Sequence, residues 1–111
     1  MREVFSNLLL NAQAAMPKGG NLQARVSDTH EWSGHGKRGV RVTFADNGSG
    51  IPSNILPRIF EPFFTTKSDG NGMGLSLAKD IVHKHHGWLR VRSSTKSGHS
   101  GTVFAMFLPA A

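Results

Sequence analysis

The sequence predicts an α+β fold, a two-layer sandwich in which helices cover one face of a mixed β-sheet. Two segments carry apolar residues at helical spacing, one near the start of the chain and one in its second half. Four short segments alternate apolar and polar residues, as half-buried strands do. The strands come in two sequential pairs with helical segments around them, so hairpins with helices on one side are expected.

The first half of the chain supplies one helix and one strand pair. Residues 3–16 form the helix, and the segment 16–20, with Pro17 and two glycines, ends it. Residues 22–26 and 40–46 alternate as two strands. The glycine-containing segment 28–39 is predicted to be a long hairpin connection. The apolar stripe of the helix consists of Val4, Leu8, Ala12 and Ala15.

The second half begins with a long irregular stretch over residues 47–73. Within it, residues 52–60 form a short helix or a pair of turns interrupted by Pro57. Residues 74–86 form a second amphipathic helix, for which Gly87 is the expected C′ cap. Two more strands follow, and the last ends near Pro109.

Composition sets limits on the class of protein. The 111 residues suffice for one domain, and the absence of cysteine excludes disulfides and thiolate metal sites. No apolar run approaches the roughly 20 residues that span a bilayer, so no membrane contact is expected. The net charge of +6 would suit a polyanion, but the basic residues are scattered along the sequence. Nucleic-acid binding is therefore not favoured.

Two asparagines four residues apart, Asn7 and Asn11, project from one face of the first helix. Asparagine is a mediocre helix former, so its presence among leucines needs a reason. Solvent exposure is one reason. The other is a phosphate or hard-cation site, since an amide oxygen is a suitable ligand for Mg²⁺.

A carboxylate, Asp46, ends the second strand and precedes Gly48 and Gly50. It can cap the following turn through its own side chain. It can also accept a hydrogen bond from an exocyclic amine such as that of adenine, while the glycines let a flat base approach.

An aromatic run over residues 60–64 and a glycine loop over residues 70–74 complete the pattern. The aromatic run is either a small satellite cluster or the hinge of a lid, with Thr66 and Lys67 placed for phosphate oxygens. The glycine loop leads into a helix N-terminus, where anions bind, although such a loop is also ordinary turn chemistry.

These motifs together resemble the catalytic, ATP-binding domain of bacterial sensor histidine kinases, within the superfamily of gyrase, heat-shock chaperone, histidine kinase and mismatch-repair ATPases. The motifs, in chain order, are Asn-x-x-x-Asn-Ala (7–12), Asp-x-Gly-x-Gly-Ile (46–51), Phe-Glu-Pro-Phe-Phe-Thr-Thr-Lys (60–67) and Gly-x-Gly-Met-Gly-Leu (70–75). Four ordered motifs are far more specific than one. The resemblance runs from residue 2 to Pro109 and implies a Bergerat-type fold.

The resemblance implies ATP and Mg²⁺ as ligands. By it, Asn11 would ligate Mg²⁺, Asn7 would contact phosphate or the waters of the metal, and Asp46 would bind the adenine amine. Lys67 would approach the phosphates under a lid at about residues 62–73. The other nucleotide contacts implied are Gly48, Gly50, Ile51, Phe60, Phe63, Thr66, Gly70, Gly72, Met73, Gly74 and Leu75.

Two departures from the family pattern bear on function. Related ATPases carry a water-activating glutamate at the position of Asn7, so transfer of phosphate to a protein is favoured over hydrolysis. The family domain usually starts earlier, so the first strand and the start of the first helix are expected to be missing from this 1–111 domain.

The resemblance implies that the γ-phosphate goes to a histidine on a separate phosphoacceptor and dimerisation domain of the same parent protein, and indirectly to a response regulator. The expected location of this domain is cytoplasmic, and this expectation is compatible with a membrane anchor elsewhere in the parent protein. The alternatives are a nucleotide-gated interaction module without transfer of its own, and an ATPase of the same superfamily.

Overall fold

A computed structural model describes residues 2–31, 37–62, 64 and 74–109. The elements are helix α1 (Arg2–Ala15), strands β1 (Leu22–Glu31) and β2 (Lys37–Asp46), a 3-10 helix (Leu56–Arg58), helix α2 (Gly74–Lys84), and strands β3 (Trp88–Ser94) and β4 (Gly101–Pro109). This order confirms the predicted α+β arrangement. Pro57 lies inside the 3-10 helix, near its start, where a missing N–H costs nothing. Neither described helix is long and apolar enough to cross a bilayer.

The four described strands form one sheet in the order β1-β2-β4-β3, and each neighbouring pair is antiparallel. The prediction of a mixed sheet is therefore wrong for these strands. The connection through α2 does return β3 parallel to β2. However, β4 lies between them and runs opposite to both, so no parallel pair is hydrogen-bonded.

The first hairpin is longer than its side-chain pattern indicated. Pairing continues from Asp28 opposite Val40 to Glu31 opposite Lys37, across much of the segment predicted as a connection. Backbone hydrogen bonds form this part of the ladder, and they do not require apolar alternation. Residues 32–36 lie outside the described part of the chain.

Both helices pack against one face of the sheet. In α1, Val4, Leu8 and Ala12 are buried as predicted, and the ring of Phe5 meets Phe44 of β2 edge-on at a centroid distance of 5.8 Å. The buried core consists of Val4, Leu8, Val42, Phe44, Ile59, Ala78, Val82, Leu89, Phe104 and Met106. Because α1 and α2 also contact each other, the motifs on both helices lie on the same side of the sheet.

The end of α2 differs from the prediction. His86, not Gly87, takes the left-handed conformation, with φ of 65°. The Gly87 N–H donates to the Val82 carbonyl at 3.0 Å, which is the long bond of a Schellman motif with His86 at C′. Gly87 is needed for a different reason: a Cβ there would lie 1.9 Å from the Phe107 carbonyl oxygen.

Candidate functional site

Three polar side chains form a row at the end of the core-facing side of the sheet. Asp46 of β2 lies opposite Thr102 of β4, and Thr102 lies opposite Ser93 of β3. The next row on the same face is Phe44, Phe104 and Val91. Apolar packing therefore ends at this polar row, which places a carboxylate and two hydroxyls at the rim of the core.

Asp46 caps the loop that follows it. Its Oδ1 accepts a hydrogen bond from the Gly48 N–H at 2.9 Å, an Asx-turn. This confirms the structural interpretation of Asp46. Within the described part of the chain this bond uses one of the two carboxylate oxygens, so the other can accept a bond from a ligand.

The loop over residues 47–51 is held to both layers of the fold. Ser49 N–H donates to the Ala15 carbonyl at the end of α1, at 3.2 Å, and Ile51 N–H donates to Ser93 Oγ at 2.7 Å. A Cβ on Gly48 would lie 2.5 Å from the Ala15 carbonyl oxygen, and one on Gly50, where φ is 81°, would lie 1.9 Å from the Ser94 carbonyl oxygen. Protein backbone thus fills the space next to both glycines. Loop packing therefore requires a glycine at both positions, and their contact with a base stays a prediction.

The two asparagines of α1 are hydrogen-bonded to each other, and Asn7 lies close to the start of α2. Asn11 Nδ2 donates to the Asn7 backbone carbonyl at 2.8 Å, so the amide oxygen of Asn11 is the end that a ligand can use. Asn7 Oδ1 lies 3.1 Å from where a Cβ on Gly74 would stand. The absence of a side chain at Gly74 lets the N-terminus of α2 approach the asparagine face of α1.

Two cation–π contacts involve the aromatic run: one joins α2 to Phe60, before the predicted lid, and the other joins Arg58 to Phe64, within the predicted lid. The Lys79 ammonium of α2 lies 5.0 Å from the centre of the half-buried Phe60 ring, and the Arg58 guanidinium lies 4.5 Å from that of Phe64. Leu75, at the start of α2, packs against the core. The remaining predicted site residues lie outside the described residues: Phe63, Thr66, Lys67, Gly70, Gly72 and Met73.

Glu3 is the carboxylate on α1 nearest in sequence to the asparagines. It is fully exposed, and the backbone hydrogen bond at Glu3 in the first turn lowers the pKa of its carboxyl below the usual value. A lowered pKa makes a weak general base at neutral pH. The lowered pKa of its carboxyl therefore does not suit Glu3 to activate water.

Sequence reasoning assigned no role to Ser93 or to Thr102. A signal for both was present in the alternation of their strands. Ser93 follows Leu89 and Val91 on the core-facing side of β3, and Thr102 precedes Phe104 and Met106 on that side of β4. A hydroxyl at the end of an apolar row marks the rim of a core.

The chain resembles one described family along its whole length. Residues 1–111 match the family of histidine kinase-, DNA gyrase B- and HSP90-like ATPases. Sporulation kinase A of Bacillus subtilis is 37% identical over 98% of this chain, which corresponds to 16% of that protein. The sensory histidine kinase/phosphatase NtrB of Rhodobacter capsulatus is 35% identical over the whole of this chain and 32% of that protein. The chain thus spans a third or less of these relatives.

Solved structures give the same result. A mycobacterial sensor histidine kinase, MprB, superposes with a TM-score of 0.77 at 31% identity, covering 96% of this chain and 68% of that one. The catalytic domain of histidine kinase ThkA superposes with a TM-score of 0.66 at 31% identity, covering 96% of this chain and 63% of that one. With its asparagine helix, its Asp46 turn and its antiparallel sheet, this chain belongs to the histidine kinase-, DNA gyrase B- and HSP90-like ATPase family, as a catalytic, ATP-binding domain of the sensor histidine kinase type.

Proposed function

We propose that this domain binds ATP together with Mg²⁺ and donates the γ-phosphate to a histidine on a separate phosphoacceptor domain of the same parent protein. The observation that carries the proposal is the approach of Gly74 to Asn7. It brings the amide-bearing face of α1 against the N-terminus of α2, and helix N-termini attract phosphate. The phosphates would lie between these two helices.

The polar row at the rim of the core supports adenine as the base. Asp46 retains one carboxylate oxygen after capping Gly48, and the exocyclic amine of adenine is a donor that this oxygen can accept. The neighbouring Phe44 and Phe104 are buried in the core, so the base would lie at its apolar rim.

The donor set of α1 fits a magnesium ion shared with phosphate oxygens. Asn11 would hold it, because the bond from Nδ2 to the Asn7 carbonyl fixes the amide and leaves its oxygen, a hard ligand, unused. When bound, the ion neutralises negative charge on the phosphates. Asn11 and the N-terminus of α2 would orient the phosphates, so positioning supplies most of the catalysis.

The residues near the phosphates favour transfer over hydrolysis. Asn7 cannot take a proton from water, and Glu3 is exposed with a lowered pKa. We also predict a lid at about residues 62–73, with Thr66 and Lys67 as phosphate contacts. A response regulator as the eventual acceptor is a further prediction.

Incubation of the parent protein with ATP labelled at the γ-phosphate separates the candidate functions. The kinase function predicts label on the protein that is stable to base and labile to acid, as phosphohistidine is, and its loss in Asp46→Asn. Release of labelled phosphate with no labelled protein would instead favour an ATPase. Nucleotide binding with neither outcome would favour a nucleotide-gated interaction module.

A further inference from the structure

Ser93 lies where three segments meet under the proposed base site. Its Oγ accepts from the Ile51 N–H at 2.7 Å, donates to the Gly101 carbonyl at 2.9 Å, and lies 2.8 Å from Thr102 Oγ1. Thr102 is 4% exposed, and it lies directly opposite Asp46 in the sheet. One serine hydroxyl therefore connects the loop, the first residue of β4 and the middle residue of the polar row.

The direction of each hydrogen bond follows from counting protons. The Ile51 N–H can only donate, and the Gly101 carbonyl can only accept. Ser93 has a single proton, which goes to Gly101. In its contact with Thr102, Ser93 must therefore accept, and Thr102 must donate. The proton of Thr102 is thus turned toward Ser93, and the lone pairs of its oxygen remain available.

The row beside the loop consequently presents acceptors. Asp46 offers the carboxylate oxygen that Gly48 does not use, and Thr102 offers a hydroxyl oxygen whose proton is committed elsewhere. Two adjacent acceptors suit a donor such as the exocyclic amine of adenine, directly or through a water. They disfavour guanine and hypoxanthine, which present a carbonyl oxygen at the same ring position, because an acceptor facing acceptors is left unpaired.

We propose that Ser93 is a positioning residue for base selection, which fixes the proton of Thr102 and so keeps the base site selective for an amine over a carbonyl. The proposal rests on the proposed function, because it takes the polar row to be the base site. Ser93 itself would contact no nucleotide and would act through Thr102. It also holds the Ile51 end of the loop, a separate effect that would alter the affinity for every base alike.

Calorimetric titration of the parent protein with ADP and with IDP, which differ at that ring position, separates the two effects. In Ser93→Ala the Thr102 hydroxyl becomes free to donate to a carbonyl. We expect the preference for ADP over IDP to fall about five- to tenfold, the value of one hydrogen bond. Loosening of the loop alone would weaken both nucleotides equally and leave the preference unchanged.

Further variants identify Thr102 as the intermediary. Ser93→Thr keeps the hydroxyl and should restore the preference. Ser94→Ala, which removes the neighbouring serine that accepts from the Lys96 N–H in the next turn, should leave it unchanged. In a Thr102→Val background, Ser93→Ala should no longer alter the preference, because coupled residues are non-additive.

An unchanged preference in folded Ser93→Ala, or an equal effect of that substitution with and without the Thr102 hydroxyl, would overturn the role of Ser93 alone. Wild-type protein that binds neither nucleotide would instead overturn the proposed function and this role with it.

Discussion

The two oxygens of the Asp46 carboxylate have different tasks, one inside the fold and one toward the ligand. Asp46→Asn keeps an oxygen for the Gly48 N–H, which is bonded at 2.9 Å, and replaces the other with an NH₂ donor. We therefore expect near-normal stability together with at least a tenfold loss of ADP affinity, since a donor would face the adenine amine (about 1.4 kcal/mol or more). Calorimetry with ADP measures the loss. Tight ADP binding by this variant would contradict the base-site assignment.

Asn11 provides a separate test on α1. Its amide is fixed by the bond to the Asn7 carbonyl, so its oxygen is pre-oriented for a cation. We expect Asn11→Ala to lose most of the gain in nucleotide affinity that Mg²⁺ gives, while affinity without Mg²⁺ changes little. Titration of ADP with and without Mg²⁺ measures this gain. Gln13→Ala, at an exposed position of the same helix, is the matched control and should retain the full gain. Equal magnesium dependence in Asn11→Ala and wild type would count against the ligand role.

The sequence revealed Asn11 and Asp46 because each belongs to a short motif of unusual residues. Ser93 has no such motif. Its role arises from the Ile51 N–H, which is 42 residues away in the chain, and from Thr102 and Gly101 of the next strand. Contacts of this kind depend on strand register, which alternation alone does not determine.

Among the elements, the C-terminal end of α2 shows how two neighbouring residues can exchange their expected tasks. A glycine after a helix predicts the left-handed cap, but His86 takes that conformation and Gly87 lies against the Phe107 carbonyl. Sequence reasoning could place the end of the helix. It could not place the carbonyl of a distant strand that excludes a side chain at Gly87.

This exchange predicts opposite effects of two substitutions. His86→Gly relieves a residue with φ of 65° and should raise the free energy of unfolding by about 1 kcal/mol. Gly87→Ala should lower it by more than that, because the new Cβ would lie 1.9 Å from the Phe107 carbonyl oxygen and either β4 or the turn must shift. Urea unfolding of both variants measures the two values. A destabilised His86→Gly would contradict the Schellman assignment.

The strands show the same limit of sequence reasoning. Apolar alternation located all four strands, and in β2, β3 and β4 the apolar face is buried in the core. The prediction of a half-buried strand is wrong for β1, where residues 22–28 are exposed and Val26 is 72% exposed. Alternation missed the distal part of the first hairpin, where the backbone ladder from Asp28 to Glu31 continues by pairing. The prediction of a mixed sheet was wrong for the described strands. Alternation does not reveal that β4 inserts between β2 and β3, because that insertion depends on long-range pairing.

At the scale of the whole molecule, the fold brings together on one surface basic residues that are far apart in the sequence. Arg25 of β1, Arg41 of β2, and Arg90 and Arg92 of β3 all project from the face of the sheet opposite the helices, and all four are exposed. The guanidinium groups of Arg41 and Arg90 lie 5.6 and 4.2 Å from the centre of the Trp88 ring. Trp88 in turn stacks on Phe107, at a centroid distance of 6.0 Å. Strand pairing thus brings four basic residues from different parts of the sequence onto one face of the sheet.

Four like charges on one face, in a chain with a net charge of +6, repel one another in the folded state. Salt screens exposed charges within a Debye length of about 10 Å at 0.1 M. We therefore expect the Tm of this chain to rise when NaCl is increased from about 20 to about 200 mM. Arg25 lies on β1, which two strands separate from β3 and its Trp88, so Arg25→Gln removes repulsion without disturbing the ring. At low salt this variant should melt about 1–3 °C above the wild type, and its salt dependence should be weaker. Thermal melts at several salt concentrations test both effects, and a wild-type Tm that falls with added salt would mean that attraction, not repulsion, dominates this surface.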